Sequence, residues 1–501
     1  MLEKVLKTYK GLDPEGLERK AIGTLLRLAF LRGVIYALVV PLLVGADESN
    51  YFIDLQAFAL RVAPSLGRPL VGEGAGQRPL FEALYLPLYL ATSGKTLFFQ
   101  VIALRLLGVC LGVATIYVIH LIAKRLAPEN RFITLGAPLL AAFIPQFTHV
   151  YATIGPDIVA TLAASVCFLG LVHLLKEGPS VRWGAISAGS LLLALLAKRT
   201  GFFLIAVALV LPFVLILTWV PKSEERRLYL AGHAGLLTAL LPLGWYVAGF
   251  TSLKKSLLIL QRGLDLDLVR RTLNILSPTG DLFVTFWVAI GRLAVMLPSQ
   301  VYLALFVPVF LALAAAAVYL LCDLRRRSKI PAGTAAALVL FWLAVLASVA
   351  VVVAKAALVP STGVAQGRWI YPAIGPLAIL LALGWWRIGA RRDEPRALLV
   401  LAVPAFIFDL FVVRSYVIAH YYQSFPAKLN LASLTFGDSM TWQMGQAIAT
   451  SRPVVATHPL GYAILFAAYV ALFALLCGLL VQLALSRPPP AQGSLSDTSK
   501  D

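Results

Sequence analysis

Long, unbroken apolar runs set apart by short polar stretches make up most of the chain. LFFQVIALRLLGVCLGVATIYVIHL at 97–121 and PLGYAILFAAYVALFALLCGLLVQLAL at 459–485 are two of them. Runs of about 17–25 apolar residues are what a hydrocarbon layer of about 30 Å asks of a helix. A membrane barrel would alternate apolar and polar positions instead, and these runs do not alternate. The pattern predicts an all-α polytopic membrane protein of about twelve spans. They lie near 24–44, 97–121, 132–150, 157–175, 184–197, 202–220, 228–249, 299–321, 334–354, 369–386, 396–413 and 460–485.

An even number of spans puts both termini on one side. The connections on that side are short and basic: AKRLAPENR, KEGPSVR, PKSEERR, CDLRRRSK and RIGARRDEPR. The opposite connections are longer and less densely basic, so the positive-inside rule predicts cytoplasmic termini. Residues 1–23 then form a cytoplasmic N-terminal segment, with an uncleaved first helix after it. The Pro-rich tail at 486–501 is predicted to be disordered. Three outward segments are long, at 45–96, 250–298 and 414–459. Within the first two, FIDLQAFALRVAPSL, PLFEALYLPLYLATSG and SLLILQRGLDLDLVRRTLNIL have the spacing of helices lying in the interface plane.

Composition supports the membrane reading. Hydrophobic residues make up 60% of the 501 and charged residues only 13%. The net charge of +19 would suggest nucleic acid in a soluble chain; here it belongs to cytoplasmic loops and anionic lipid, and no nucleic-acid partner is expected. The cysteines, Cys110, Cys167, Cys322 and Cys477, are scattered singly through apolar runs, which predicts neither a disulfide framework nor a zinc site.

Charges at the outer membrane boundary are the candidate chemistry. VGADESNYF opens where the first run stops, with Asp47 and Glu48 side by side. An acid at a helix C-terminus is the wrong sign for the macrodipole, which argues against decoration. Asp157, in ATIGPDIVATLAAS, stands at the same predicted depth. It is explained either as a helix-start acid or as part of a shared acidic site for general-base work or a cation. Lys198 and Arg199 interrupt LLALLAKRTGFFLIA on the outer side, against the charge rule. They snorkel to headgroups or hold a lipid phosphate. Arg368 enters a late span after Gln366 and Gly367, and Arg262, Arg270 and Arg271 add outward positive charge. His149 is a ligand or contact candidate eight residues before Asp157, and Asp409 sits inside the eleventh predicted span without a sequence neighbour of opposite charge.

Four short motifs in order resemble one superfamily: DESNYF at 47–52, GPD at 155–157, KRTG at 198–201 and QGRW at 366–369. They are similar to those of the GT-C glycosyltransferases, and within them to a bacterial membrane family of unknown function. Protein O-mannosyltransferases and aminoarabinose transferases are relatives. Tyr51 stands where that family has His, Pro156 where it has Asn and Trp369 where it has Tyr. The resemblance covers about residues 20–390. It implies a GT-C-like module over 24–390, followed by accessory helices over 391–485.

What the resemblance implies is sugar transfer on the outer face, from a polyprenyl-monophosphate donor to an acceptor hydroxyl of lipid, glycan or protein, with inversion. Asp47 is then the general base. Glu48 orients the acceptor or Asp47, and Asp157 is a second acid. Lys198, Arg199 and Arg368 hold the phosphate, with Gln366, Tyr51, His149 and Arg270 as further substrate contacts. No cofactor is required by these residues, and a divalent cation is left open. Competing classes are a transporter or lipid-sugar flippase, a polymerase or ligase using diphosphate donors, and an inactive scaffold. Transporters place coupling acids near the midplane of repeated, broken helices, and Asp409 is the residue that fits such a role.

Overall fold

The computed structural model describes residues 13–45, 47–62, 78–219, 266–326, 331–358, 365–390, 394–423 and 459–486. Among the described residues the chain is helical throughout, with only an isolated antiparallel bridge between Ile290 and Val295. Among the described residues nine helices are long and apolar enough to cross a membrane. A bent pair, Arg131–Ala142 and Pro145–Tyr151, adds a tenth if it is one span. The protein is an integral, multi-pass membrane protein. Of the twelve expected spans, the one at 184–197 appears as the shorter helix Val181–Ala197. The one at 228–249 lies outside the described residues, as do Arg262, most of the 414–459 segment and nearly all of the tail.

Helix α1 (Pro14–Val39) starts ten residues before the apolar run does. Asp13 caps it, accepting from the Glu15 and Gly16 amides at 3.0 and 2.9 Å, with Pro14 at the first helical position. Two shorter helices follow, α2 (Glu48–Val62) and α3 (Pro79–Thr92), which pack on each other. They cover two of the three stretches whose spacing predicted interface helices. Next come α4 (Leu97–Leu126), α5 (Arg131–Ala142) and α6 (Pro145–Tyr151).

The third predicted span, 132–150, is therefore broken, with α5 and α6 at 67°. Pro145 cannot donate to the ladder, and the carbonyls at the end of α5 lose their partners. Arg32 of α1 takes two of them, Ala142 O and Phe143 O. The bend also presses Tyr151 onto α4 at Gly112, where any side chain would overlap the ring.

Helix α7 (Pro156–Glu177) is largely enclosed; it packs against α4 and against α8 (Val181–Ala197). A single 3₁₀ turn, Arg199–Phe202, joins α8 to α9 (Phe203–Trp219). Helices α10 (Leu266–Leu276), α11 (Asp281–Trp287) and α12 (Ile290–Leu293) lead into α13 (Ser299–Arg326). Helix α14 (Ala332–Leu358) is followed by a second 3₁₀ turn, Gly367–Ala373, and by α15 (Ile374–Trp385), whose side chains are nearly all buried. The last two helices, α16 (Glu394–Phe411) and α17 (Pro459–Leu485), pack together, and α17 also packs along α1.

A buried polar cluster joins these ends of the chain. Asp409 of α16 pairs with Arg32 and accepts from Tyr36 and Tyr469 at 2.9 and 2.7 Å. All four side chains are buried. An acid that has no opposite charge near it in sequence is thus fully matched across the bundle.

Candidate functional site

The two 3₁₀ turns touch each other, and both touch α7 and α14. This junction gathers Asp47, Asp157, Lys198 and Arg368. Pro156 starts α7 and places Asp157 in its first turn. Helix α8 ends at Ala197, so Lys198 leaves in an extended conformation (φ −161°, ψ 144°) and turns back over α7. Lys198 Nζ donates to Asp157 Oδ1 at 2.5 Å and approaches Tyr51 Oη at 3.5 Å.

Arg368 is set by the second turn. The Gly367 amide donates to Thr285 Oγ1 at 2.6 Å, and Tyr371 donates to Phe286 O at 2.7 Å, docking the turn on α11. A Cβ at Gly367 would run into the α11 backbone at Leu282 and Phe286, so glycine is needed for that close approach. Gln366 Oε1 then accepts from Arg368 Nε at 2.5 Å and fixes the plane of the guanidinium. Its other end pairs with Asp47 and comes within 3.9 Å of Asp157.

Asp47 sits in the loop between α1 and α2 with φ at +60°. Left-handed backbone is uncommon for a residue with a side chain, and Asp and Asn are the types that tolerate it best. The side chain is 47% exposed, whereas those of Arg368 and Asp157 are 4% and 5% exposed. The cluster therefore runs from a half-open acid, through a buried arginine, to a buried acid and a mostly buried lysine.

Electrostatics follow from that gradient. Burial pulls the Lys198 ammonium down to about 8, against the opposing pull of Asp157. Burial, with Asp157 next, pushes the Tyr51 phenol above its ordinary value, so it stays protonated. The four ionised groups balance in sign, two acids against two cations. Among the described residues no three acidic, His or Cys side chains converge as a metal would require, and both acids already face cations.

Other expected site residues lie elsewhere. Glu48 follows Asp47 directly, yet its carboxylate is wholly buried against Arg105 of α4. His149 is also wholly buried; its Nε2 accepts from the Gly291 amide at 3.2 Å, while Gln146 accepts from Ala289 at 2.8 Å. Helix α6 thus clips the loop after α11 rather than reaching the acids. Arg199 is exposed at the start of its turn, and Arg270 is exposed on α10 with no ion pair among the described residues. Asp409 belongs to the closed cluster described above and faces no path.

Two cations were not anticipated. Lys355, near the end of α14, is exposed, with its Nζ 3.8 Å from the centre of the Trp369 ring. Its charged surroundings are Lys198, Arg199, Arg368 and Asp47. The signal was available: it is a lysine at the end of an apolar run, as Lys198 is. Arg78, at the start of α3, donates to Asp54 at 2.6 Å and lies 4.7 Å from the Tyr51 ring centre. Its proximity depends on how α3 folds back on α2, which no local pattern encodes.

No family model matches the chain, and no curated protein matches it. Solved structures similar to it include ArnT from Cupriavidus metallidurans bound to undecaprenyl phosphate, at 14% identity and TM-score 0.43, covering 92% of this chain and 75% of that one. A second is the archaeal oligosaccharyltransferase AglB from Archaeoglobus fulgidus with an inhibitory peptide and a dolichol-phosphate, at 14% and 0.44, covering 85% and 56%. A third is arabinosyltransferase EmbB from Mycobacterium smegmatis, at 12% and 0.44, covering 96% and 41%. All three are glycosyltransferases of the superfamily that the motifs resemble.

Proposed function

We propose that the protein transfers a sugar from a polyprenyl-monophosphate donor to an acceptor hydroxyl at the outer membrane boundary. One observation carries this reading. A half-exposed carboxylate shares an arginine with a buried acid, at the junction of two helix breaks, beside exposed cations. An acid that takes a proton and cations that stabilise a leaving phosphate must meet at one place, where a membrane-held donor reaches water.

In this reading Asp47 accepts the acceptor's hydroxyl proton as the oxygen attacks the anomeric carbon. The carbon–oxygen bond to phosphate breaks on the opposite face, so the configuration inverts. The phosphate leaves as a dianion held by Arg368, Lys198 and the exposed pair Arg199 and Lys355. Since Arg368 is paired to Asp47, an arriving phosphate draws on that arginine and leaves the carboxylate available as a base. Asp157 holds Lys198 and the far side of Arg368 in place. Tyr51 donates to whichever oxygen stands over Lys198.

The first test is saturable binding of undecaprenyl monophosphate to purified protein in detergent. Wild type binds, and the Lys198→Ala/Arg368→Ala double variant loses binding by more than the product of the single losses. A folded wild type that binds no polyprenyl monophosphate ends the reading.

A further inference from the structure

We infer that Arg105, acting through Glu48, is the positioning residue that sets Asp47 and Asp157 against each other. The inference rests on the proposed roles of those two acids, but its geometry stands by itself. Arg105 lies on α4, inside an apolar span, with its side chain wholly buried beside that of Glu48. A guanidinium has five N–H donors, and each of them is used here. Nε donates to Glu48 Oε1 at 2.7 Å. Nη1 donates to Ala37 O and Val40 O at 2.6 and 2.7 Å. Nη2 donates to Pro41 O and Glu48 Oε2 at 2.8 and 2.7 Å.

Ala37 O belongs to the last turn of α1, and Val40 O and Pro41 O lie just past it. Pro41 has no N–H to return to Ala37 O, so the helix ends there, and Arg105 takes the carbonyls left over as the chain turns into the loop that carries Asp47. The carboxylate then divides its remaining capacity between two loops. Glu48 Oε2 accepts from the Gly45 amide at 3.2 Å, two residues before Asp47. Glu48 Oε1 accepts from the Ile154 amide at 3.1 Å, three residues before Asp157.

One ion pair thus holds both acid-bearing loops, and it does so without touching Asp47, Asp157 or Arg368. It explains why Asp47 can be kept in a left-handed conformation next to water. The turn is over-determined by bonds buried beneath it. It also assigns Glu48 a task that needs no contact with substrate, since all of its oxygen capacity is committed.

The experiment compares Glu48→Gln, Arg105→Lys and the neutral pair Glu48→Gln/Arg105→Met with wild type, first for folding by thermal unfolding in detergent. Release of sugar from polyprenyl-monophosphate-linked donors is then measured beside binding of undecaprenyl monophosphate. A displacement of about 1 Å at a reacting group costs on the order of 10² in rate. Folded variants are expected to lose about that much turnover while keeping donor affinity within about threefold, with Glu48→Asp recovering part of the loss. Equal loss of binding and turnover, or no loss of either, overturns the inference.

A second arm needs no turnover. In Asp47→Cys, the thiol beside Arg368 is expected to react with an anionic methanethiosulfonate faster than with a cationic one. Adding Glu48→Gln or Arg105→Lys is expected to reduce that preference by about tenfold, the size of one pK unit of electrostatic bias. An unchanged preference in the folded double variants overturns the inference. If wild type binds no polyprenyl monophosphate, the proposed donor fails, and this arm alone decides the positioning role.

Discussion

Asp409 and Asp47 each answer an arginine from a distant helix, yet the two pairs have opposite surroundings. Around Asp409 everything is closed. Arg32 and two tyrosines fill its acceptor sites, and the same arginine seals the carbonyls freed where α5 breaks. Such a cluster has a large desolvation cost that only full pairing offsets, so none of its members is available for exchange. Around Asp47 the arginine is buried but the acid is half open. Its partner can be shared with an arriving anion at little further desolvation. The difference shows what separates an ion pair that holds a bundle together from one that is suited to work. Both have the same partner type, and what differs is whether one member still faces water.

Breaking the comparison at its closed end has the larger effect. Asp409→Ala leaves Arg32 charged and unpaired inside the bundle. Removing one partner of a buried pair typically costs about 3–5 kcal/mol. Thermal unfolding in detergent is expected to show a collapse of the folded fraction, with α16 and α17 no longer held to α1. A variant that melts like wild type would mean that the cluster does not join those helices.

At the open end the same chemistry gives the reverse outcome. Asp47→Asn keeps the backbone preference and the shape, and Asp157 still stands 3.9 Å from Arg368, so the stability loss is expected to be smaller than that of Asp409→Ala. Turnover of a polyprenyl-linked donor is expected to fall by about 10²–10⁴, the usual contribution of a general base. Wild-type turnover in that variant removes Asp47 from the base role.

The smallest effect sharpens the gradient within the open cluster. Lys198 titrates near 8 in the folded protein, below its ordinary value, so its positive charge is lost as pH rises through that point. Between there and its ordinary range the folded chain binds fewer protons than the unfolded one. Lys198 therefore makes stability rise with pH in that window. Phosphate affinity runs the other way. Undecaprenyl-monophosphate binding is expected to weaken from pH 7 to pH 9 in wild type and to be flatter in Lys198→Ala. Matching slopes in the two proteins would place the titrating group elsewhere.

Asp47, Asp157, Lys198 and Arg368 were legible because each breaks a rule that a membrane sequence otherwise keeps. Each is a charge at the end of an apolar run. Lys355 breaks the same rule and was overlooked beside the richer motif that follows it. Glu48 shares that position, yet its carboxylate is buried against Arg105. Adjacent residues at a helix start point in different directions, so sharing a motif with Asp47 says nothing about sharing its environment. Arg105 and Arg32 were visible as arginines inside apolar runs, which is itself a signal. Their partners were not. Asp409 is 377 residues from Arg32, and only the packed bundle brings them together. Helix existence was readable from hydropathy, while the break between α5 and α6 depends on prolines inside a run that reads as continuous.

The left-handed turn at position 47 has a consequence for how the gene can vary. Chemistry there asks for a carboxylate, and the backbone asks for one of the few residue types at ease with positive φ. Glutamate meets the first demand but not the second. Asparagine and glycine meet the second but not the first. In a library randomised at this codon, a screen for folded protein and a screen for turnover would therefore retain different residues, with aspartate where the two overlap.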